Sequence, residues 1–265
     1  MKALKIIITL FIFSIFLSLS VKGQTLSGET PELPGKAIPT DRRATIQILD
    51  ILSMDQLIMK ADFYFLDANR PTIILCHQAG SSRGEYLATA PEFNKLGYNC
   101  LAIDQRSGKE MNNVTNETAK RAKEGDMPTT YLDAEQDIKA AIRWVKLTHP
   151  NQDIILLGSS YSASLVLKVA QEEDAVTKVL SFSPGEYFGD KFKVTQSVEN
   201  LNKPTFITCS KSEKRKTKKI YKAIASKNKK FFAPRSKGNH GSKALWGEFE
   251  DHQSYWKAVK KFLNK

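Results

Sequence analysis

A serine at the apex of a strand-to-helix turn is the arrangement in this chain best suited to chemistry. Ile154 to Leu157 form an apolar run, Gly158-Ser159-Ser160-Tyr161-Ser162 follows, and a second apolar segment runs from Leu165 to Ala170. Such a turn, a nucleophile elbow, lifts one hydroxyl above the carboxyl end of a sheet and aims a helix N-terminus at it. The turn needs small flanking residues because it is packed between strand and helix. Gly158 and Ser162 are both small, which places the nucleophile at Ser160. Ser162 also has small neighbours, but the turn must come directly off the strand, and Leu157 is the last apolar residue of the run.

A serine hydroxyl is a weak nucleophile at neutral pH and needs a histidine to take its proton and a carboxylate to orient that histidine. In an elbow-type site the acid and then the histidine follow downstream. The four histidines are His77, His149, His240 and His252. His149 reads as a surface residue at a helix exit, and His252 stands at the mouth of the last helix. His240 lies in the small-residue loop Gly238-Asn-His-Gly-Ser after the final strand and is the expected base. Glu213 is the first carboxylate after the apolar run Thr205 to Thr208 and is the expected acid, with Asp190 as the alternative. The oxyanion of an acyl-transfer intermediate needs preset N–H donors. Tyr161, next to the nucleophile, should give one. The loop Cys76-His-Gln-Ala-Gly80 should give the other, with Ala79 first and Gln78 second. His77 reads as a hydrogen-bonded structural residue.

These groups must be held by a sheet. Ala44 to Leu49 and Leu57 to Leu66 read as a hairpin pair of strands. Thr72 to Cys76, Tyr98 to Ile103, Ile154 to Leu157, Val179 to Phe182, Thr205 to Thr208 and Lys230 to Ala233 read as further strands, several of them apolar throughout and so buried on both faces. Helical patterns fall between them: Ile138, Ala141, Ile142 and Val145 form one stripe behind an Asp133/Gln136 capping box, and Ser254 to Leu263 closes the chain. Strands alternating with helices indicate a mainly parallel sheet covered on both faces. The polar stretch Ser107 to Thr130 is the one long insertion and is expected to rim the site.

Taken together, the elbow, the His77 loop, Asp104-Gln-Arg106, Glu213 and His240 resemble the α/β-hydrolase superfamily, over roughly residues 44–265. The likeness is to small, lidless members similar to dienelactone hydrolase. It implies an α/β-hydrolase fold, with a mostly parallel eight-stranded sheet, helices on both faces and the triad loops at its carboxyl edge. Dienelactone hydrolase carries a cysteine nucleophile where this chain has Ser160. Gln78 stands where a glycine usually follows the loop histidine, and Ser162 replaces the second elbow glycine.

The ends and the composition bound the rest. Lys2 and Lys5 precede an apolar run from Ile6 to Leu19, and Val21-Lys-Gly23 offers small residues for cleavage. The run is shorter than the roughly 20 residues of a membrane span, so residues 1–23 read as a signal peptide of an exported, periplasmic or secreted protein, with no stable membrane insertion once it is removed. Residues 24–43 are a Pro- and Gly-containing lead. The formal charge is +12, and residues 211–230 hold ten Lys or Arg against one acid, Glu213. That excess reads first as a solvated helix face and second as attraction to an anionic substrate or surface. No aromatic interleaving accompanies it, so nucleic acid is not an expected partner. Cys76, Cys100 and Cys209 fit buried thiols, with no metal-binding spacing. Asn113-Val-Thr and Asn116-Glu-Thr match the glycosylation acceptor pattern, which matters only in a eukaryotic secretory pathway and otherwise marks a polar loop.

The expectation is a serine hydrolase that cleaves a carboxylic ester, or an amide, through an acyl-enzyme, with no metal or organic cofactor and a small-molecule ester or acyl substrate, anionic ones included. A non-catalytic binding protein with a basic contact face, and a small peptidase, are the alternatives.

Overall fold

The computed structural model describes residues 44–264. The expected signal peptide, 1–23, and the whole of the lead, 24–43, lie outside the described residues. In chain order the elements are β1 (Thr45–Leu52), β2 (Ile58–Phe65), β3 (Thr72–Cys76), α1 (Thr89–Lys95), β4 (Asn99–Ile103), β5 (Glu110–Met111), β6 (Val114–Thr115), α2 (Glu117–Glu124) and α3 (Glu135–Thr148). They continue with β7 (Ile154–Ser159), α4 (Tyr161–Glu172), β8 (Val176–Phe182), α5 (Val194–Ser197), β9 (Thr205–Thr208), α6 (Lys214–Ala223), β10 (Lys229–Phe232) and α7 (His252–Leu263). Eight strands form one sheet in the order β1-β2-β4-β3-β7-β8-β9-β10. The β1–β2 and β2–β4 pairs are antiparallel, and every later pair is parallel. This is the α/β-hydrolase fold, with β7, the strand that leads to Ser160, near the centre.

Alternate residues of the central strands feed two cores, as the period-two geometry of a strand requires. Ile74, Leu101 and Leu156 pack with Ile138, Ile142, Val145 and Leu165 of α3 and α4. Ile73, Leu75, Ile155 and Leu157 pack on the other face with Phe93 of α1 and Tyr255, Val259 and Phe262 of α7. Each such side chain, fully withdrawn from water, contributes about 1.5–3 kcal/mol, and together they hold the strand ends that carry the site. Cys76, Cys100 and Cys209 are all free and buried.

The structure differs from the sequence expectations at several places. The insertion from Ser107 to Thr130 is a small hairpin, β5–β6, followed by α2. Asn116 does not serve as an exposed glycosylation acceptor: it is buried, and its Oδ1 caps α2 by accepting from the Ala119 N–H at 2.8 Å. The Asp133 capping box does not form. The helix starts one residue later behind Ala134, and the Asp133 carboxylate is occupied by the Thr130 N–H and hydroxyl. His149 is not a bare surface residue either: its ring packs against Phe63, Phe65 and Trp144, with centroids 5.5–5.8 Å away.

Candidate active site

The elbow is built by close packing of β7 on α4. Ser160, between them, has φ 60° and ψ −120°, a conformation that costs a non-glycine residue roughly 1–3 kcal/mol. Its N–H donates to the Phe182 carbonyl of the next strand at 2.8 Å, which holds the turn in register. A Cβ on Gly158 would stand 2.4 Å from the Ser162 carbonyl oxygen, so only glycine lets the helix pass this close to the strand. At the other small position a side chain is accommodated. Ser162 is buried and its hydroxyl faces the His77 carbonyl at 2.5 Å and the Gln105 side-chain carbonyl at 3.0 Å. The second elbow glycine is thus replaced by a residue that ties the elbow to the His77 loop.

Ser160, His240 and Glu213 are brought into one chain of hydrogen bonds. His240 Nε2 lies 2.8 Å from Ser160 Oγ, and His240 Nδ1 lies 2.5 Å from Glu213 Oε1. Ser160 is nearly buried, whereas the imidazole is about half exposed, with its outer edge toward solvent. Glu213 stands at the N-terminal boundary of α6. Its second oxygen, Oε2, accepts from Ser183 Oγ at 2.8 Å, from the Ser210 N–H at 2.9 Å and from Ser210 Oγ at 2.7 Å. Burial works against ionisation of this carboxyl, but the hydrogen bonds from His240 and Ser210 outweigh it and lower its pKa to about 2. The alternative acid, Asp190, is fully exposed and pairs with Lys193 at 3.2 Å, and no hydrogen bond joins it to His240. The Ser162 hydroxyl is bonded to the His77 carbonyl and Gln105, and the hydrogen bonds of the His240 ring go to Ser160 and Glu213.

The two expected oxyanion donors sit differently from their neighbours. Tyr161 opens α4, where the first amides of a helix have no intrahelical acceptor. In the facing loop the Gln78 N–H is taken by Glu85 Oε2 at 2.9 Å, which removes Gln78 as a donor. Among the described residues no protein acceptor takes the Ala79 N–H. His77 is buried, and its Nε2 accepts from the Gln105 N–H at 2.9 Å. A backbone N–H can only donate, so Nδ1 carries the proton and donates to the Gln78 carbonyl at 2.7 Å. His77 is therefore a neutral brace of the loop.

Three supporting residues carry no signal in the linear pattern. Ser183 follows β8 at φ 59°; its hydroxyl accepts from the Gly241 N–H at 3.0 Å while donating to Glu213, so it joins the acid to the histidine loop. Ser159 accepts from the Ser242 N–H at 2.9 Å, and a Cβ on Gly241, at φ 69°, would lie 2.5 Å from that same hydroxyl oxygen. Glu85, fully buried, accepts from Ser242 Oγ at 2.5 Å through one oxygen and from the Gln78 amide through the other. It fastens the histidine loop to the His77 loop across 157 residues. Each of these partners is set by topology rather than by spacing, and the polarity of the residue alone could not have singled it out.

Around the mouth, Tyr131, which follows the insertion, stacks on Tyr161 with ring centroids 4.4 Å apart, and Ser107 donates to the Tyr161 hydroxyl at 2.6 Å. Asp104 and Arg106 have structural partners: Asp104 accepts from Arg83, and Arg106 lies buried between Asp137 and Asp55.

A family model described as serine aminopeptidase, S33, matches residues 67–206. No curated protein matches the chain in sequence. Among solved structures, an esterase of Pyrococcus furiosus is similar at 19% identity and a TM-score of 0.67, over 88% of this chain and 97% of that one. A dienelactone hydrolase from Anabaena variabilis aligns at 14% identity and 0.62, over 83% and 97%. An acylaminoacyl peptidase of Pyrococcus horikoshii aligns at 16% identity and 0.63, over 84% of this chain but 41% of its own. At these identities the structural likenesses speak for the fold.

Proposed function

The chain belongs to the serine aminopeptidase, S33, family of α/β hydrolases and is a serine hydrolase, and from that premise we propose that it cleaves a carboxylic ester through an acyl-enzyme. Ser160 Oγ attacks the ester carbonyl while His240 Nε2 takes its proton, and Glu213 stabilises the imidazolium formed at Nδ1. The N–H groups of Tyr161 and Ala79 hold the oxyanion. His240 then protonates the leaving alkoxide; a water takes its place, the same imidazole deprotonates it as it attacks the acyl carbonyl, and the imidazolium returns that proton to Ser160 Oγ as the acid leaves. The observation that carries this reading is the unbroken Ser160–His240–Glu213 chain at 2.8 and 2.5 Å. A purely binding role would not require that order of groups.

An ester is favoured over a peptide with a free N-terminus, because holding an α-ammonium calls for an uncommitted carboxylate beside the triad. Glu213 is engaged by His240, Ser183 and Ser210, and Glu186 by the amides of Val194 and Thr195. Export, directed by residues 1–23, is part of the same proposal; an N-terminus at residue 24 in protein recovered from the cell envelope or medium would support it.

The test is hydrolysis of short-chain chromogenic esters and labelling by a fluorophosphonate probe. Wild-type protein is expected to do both and Ser160→Ala neither. Folded wild-type protein that does neither would remove the catalytic reading. Labelling that persists in Ser160→Ala but vanishes in Ser162→Ala would move the nucleophile.

A further inference from the structure

The strongest charge feature of the molecule lies outside the triad. A groove of about 820 Å³ runs between α6 and the segment Ala233–Arg235 that follows β10. Lys214, Lys218 and Lys222 form one row along the helix, Arg215 and Lys219 the next, and Lys211 and Arg235 extend the set, so seven cations line it without a carboxylate. Among the described residues none of the seven side chains has an ion-pair partner. This arrangement works against the helix itself. Lys214–Lys218, Lys218–Lys222 and Arg215–Lys219 are like charges at i,i+4, each unfavourable by a few tenths of a kcal/mol. The first turn of α6 holds no acid and carries cations at the positive end of the helix dipole. A solvated face would be expected to intersperse acids, as α3 and α4 do with their Lys139–Glu135 and Lys168–Glu172 pairs.

We infer that this groove binds a linear, base-free polyanion carrying closely spaced phosphates. Successive lysines of the row are about 6 Å apart along the helix axis, four residues at 1.5 Å each, which suits repeated point charges rather than one compact anion. Lysines on long flexible stems supply charge without a fixed fork, so the ligand is read by charge density rather than by shape. No aromatic side chain lines the groove, so a nucleic acid would find no surface on which to stack its bases. A bilayer is disfavoured too. Most of the exposed large hydrophobics, Ile46, Ile48, Leu52, Met54 and Ile58, lie on or beside β1 and β2, at the opposite edge of the sheet from β10. The groove therefore has no neighbouring apolar wedge for membrane insertion. It does adjoin the site: Lys211 donates through its backbone to the Lys237 carbonyl, joining the segment before Glu213 to the one before His240.

The experiment is binding of inorganic polyphosphate to the full protein, followed by titration calorimetry at two salt concentrations. With about five phosphates neutralised, affinity should fall roughly a hundredfold between about 50 and 200 mM salt. The triple variant Lys214→Gln, Lys218→Gln, Lys222→Gln should bind at least tenfold more weakly at low salt, with a shallower salt dependence. The charge-matched control Lys123→Gln, Lys146→Gln, Lys257→Gln, on other helices or turns, should bind as wild type. Arg235→Gln, off the helix, should lose several-fold and serves if the triple variant loses its fold. Equal loss in both triple variants would reduce the effect to net charge and overturn the site. So would absence of binding at low salt. Stronger groove-dependent binding to single-stranded oligonucleotide, heparin, poly-glutamate or phosphatidylglycerol vesicles than to polyphosphate would likewise overturn it. The inference does not depend on the hydrolase reading, since binding is measured without turnover.

Discussion

Replacing Glu213 by glutamine should disable the site by turning the imidazole the wrong way round, with its shape kept. The carboxylate receives three donors at Oε2, from Ser183 Oγ, the Ser210 amide and Ser210 Oγ, and only His240 at Oε1. A carboxamide must put its one carbonyl oxygen on one side. Placing its NH₂ on the crowded Oε2 side sets it against the Ser210 N–H, which can only donate, and forces both serine hydroxyls out of their present bonds, whereas placing it against His240 only reverses one bond; at roughly 1 kcal/mol per bond disturbed the first orientation is worse by about 2 kcal/mol. The difference of about 2 kcal/mol favours the second orientation by about thirtyfold. His240 Nδ1 must then accept a proton bond, leaving the proton on Nε2, where Ser160 needs a base. That tautomer alone lowers kcat about thirtyfold, and loss of the negative charge that stabilises the imidazolium takes the total toward the order of 10⁴ seen when a triad carboxylate becomes a carboxamide. The assay is steady-state hydrolysis of a chromogenic ester, with Asp190→Ala as a control expected to behave as wild type. Adding Ser210→Ala to Glu213→Gln removes one donor from the crowded side and should recover about fivefold of the lost rate, an effect no general loosening would produce. A Glu213→Gln enzyme within tenfold of wild type, or a double variant slower than the single one, would refute the reasoning.

Two further outcomes follow from the same contacts. Glu213 is held at about 2 against an ordinary 4.5, so on lowering the pH the unfolded chain binds this proton first. Its stabilising contribution is full above about 4.5 and is lost as pH falls toward 2, so the gap in thermal midpoint between wild type and Glu213→Gln should narrow across that window. Ser162→Ala leaves the buried His77 carbonyl without its 2.5 Å donor and should destabilise by about 1–3 kcal/mol in denaturant titration; a loss below about 0.3 kcal/mol would show that the Ser162 hydroxyl does not brace the loop.

Much of this molecule could be read from the chain because its signals are local. Thr72–Cys76 and Thr205–Thr208 are strands over the same residues that their apolar runs mark, since a strand buried on both faces has no polar position to blur its ends. Ser160, Glu213 and His240, which chain order singles out after three identifiable strands, meet in one hydrogen-bonded chain. Partners chosen by the fold could not be read that way. Ser183, Ser210 and Glu85 are ordinary polar residues until β8, β9 and the His77 loop are set side by side. Asn116 looked like a surface acceptor because its motif is polar, yet the β5–β6 hairpin folds it inward against His77 and Gln105. Tertiary packing likewise moved the start of α3 past Asp133, whose carboxylate closes the preceding turn instead.

The Glu85 bridge has a consequence for the order in which the molecule becomes competent. It joins residue 85 to residue 242, and Ser160 meets its base 80 positions further along. Such distant closures are the slowest to form as a chain collapses. Until the segment that carries His240 and Ser242 has docked, Ser160 has no base, whatever the state of the strands around it. Recovery of activity on refolding should therefore trail recovery of the sheet, and the rate of that final docking should be set in part by one buried carboxylate.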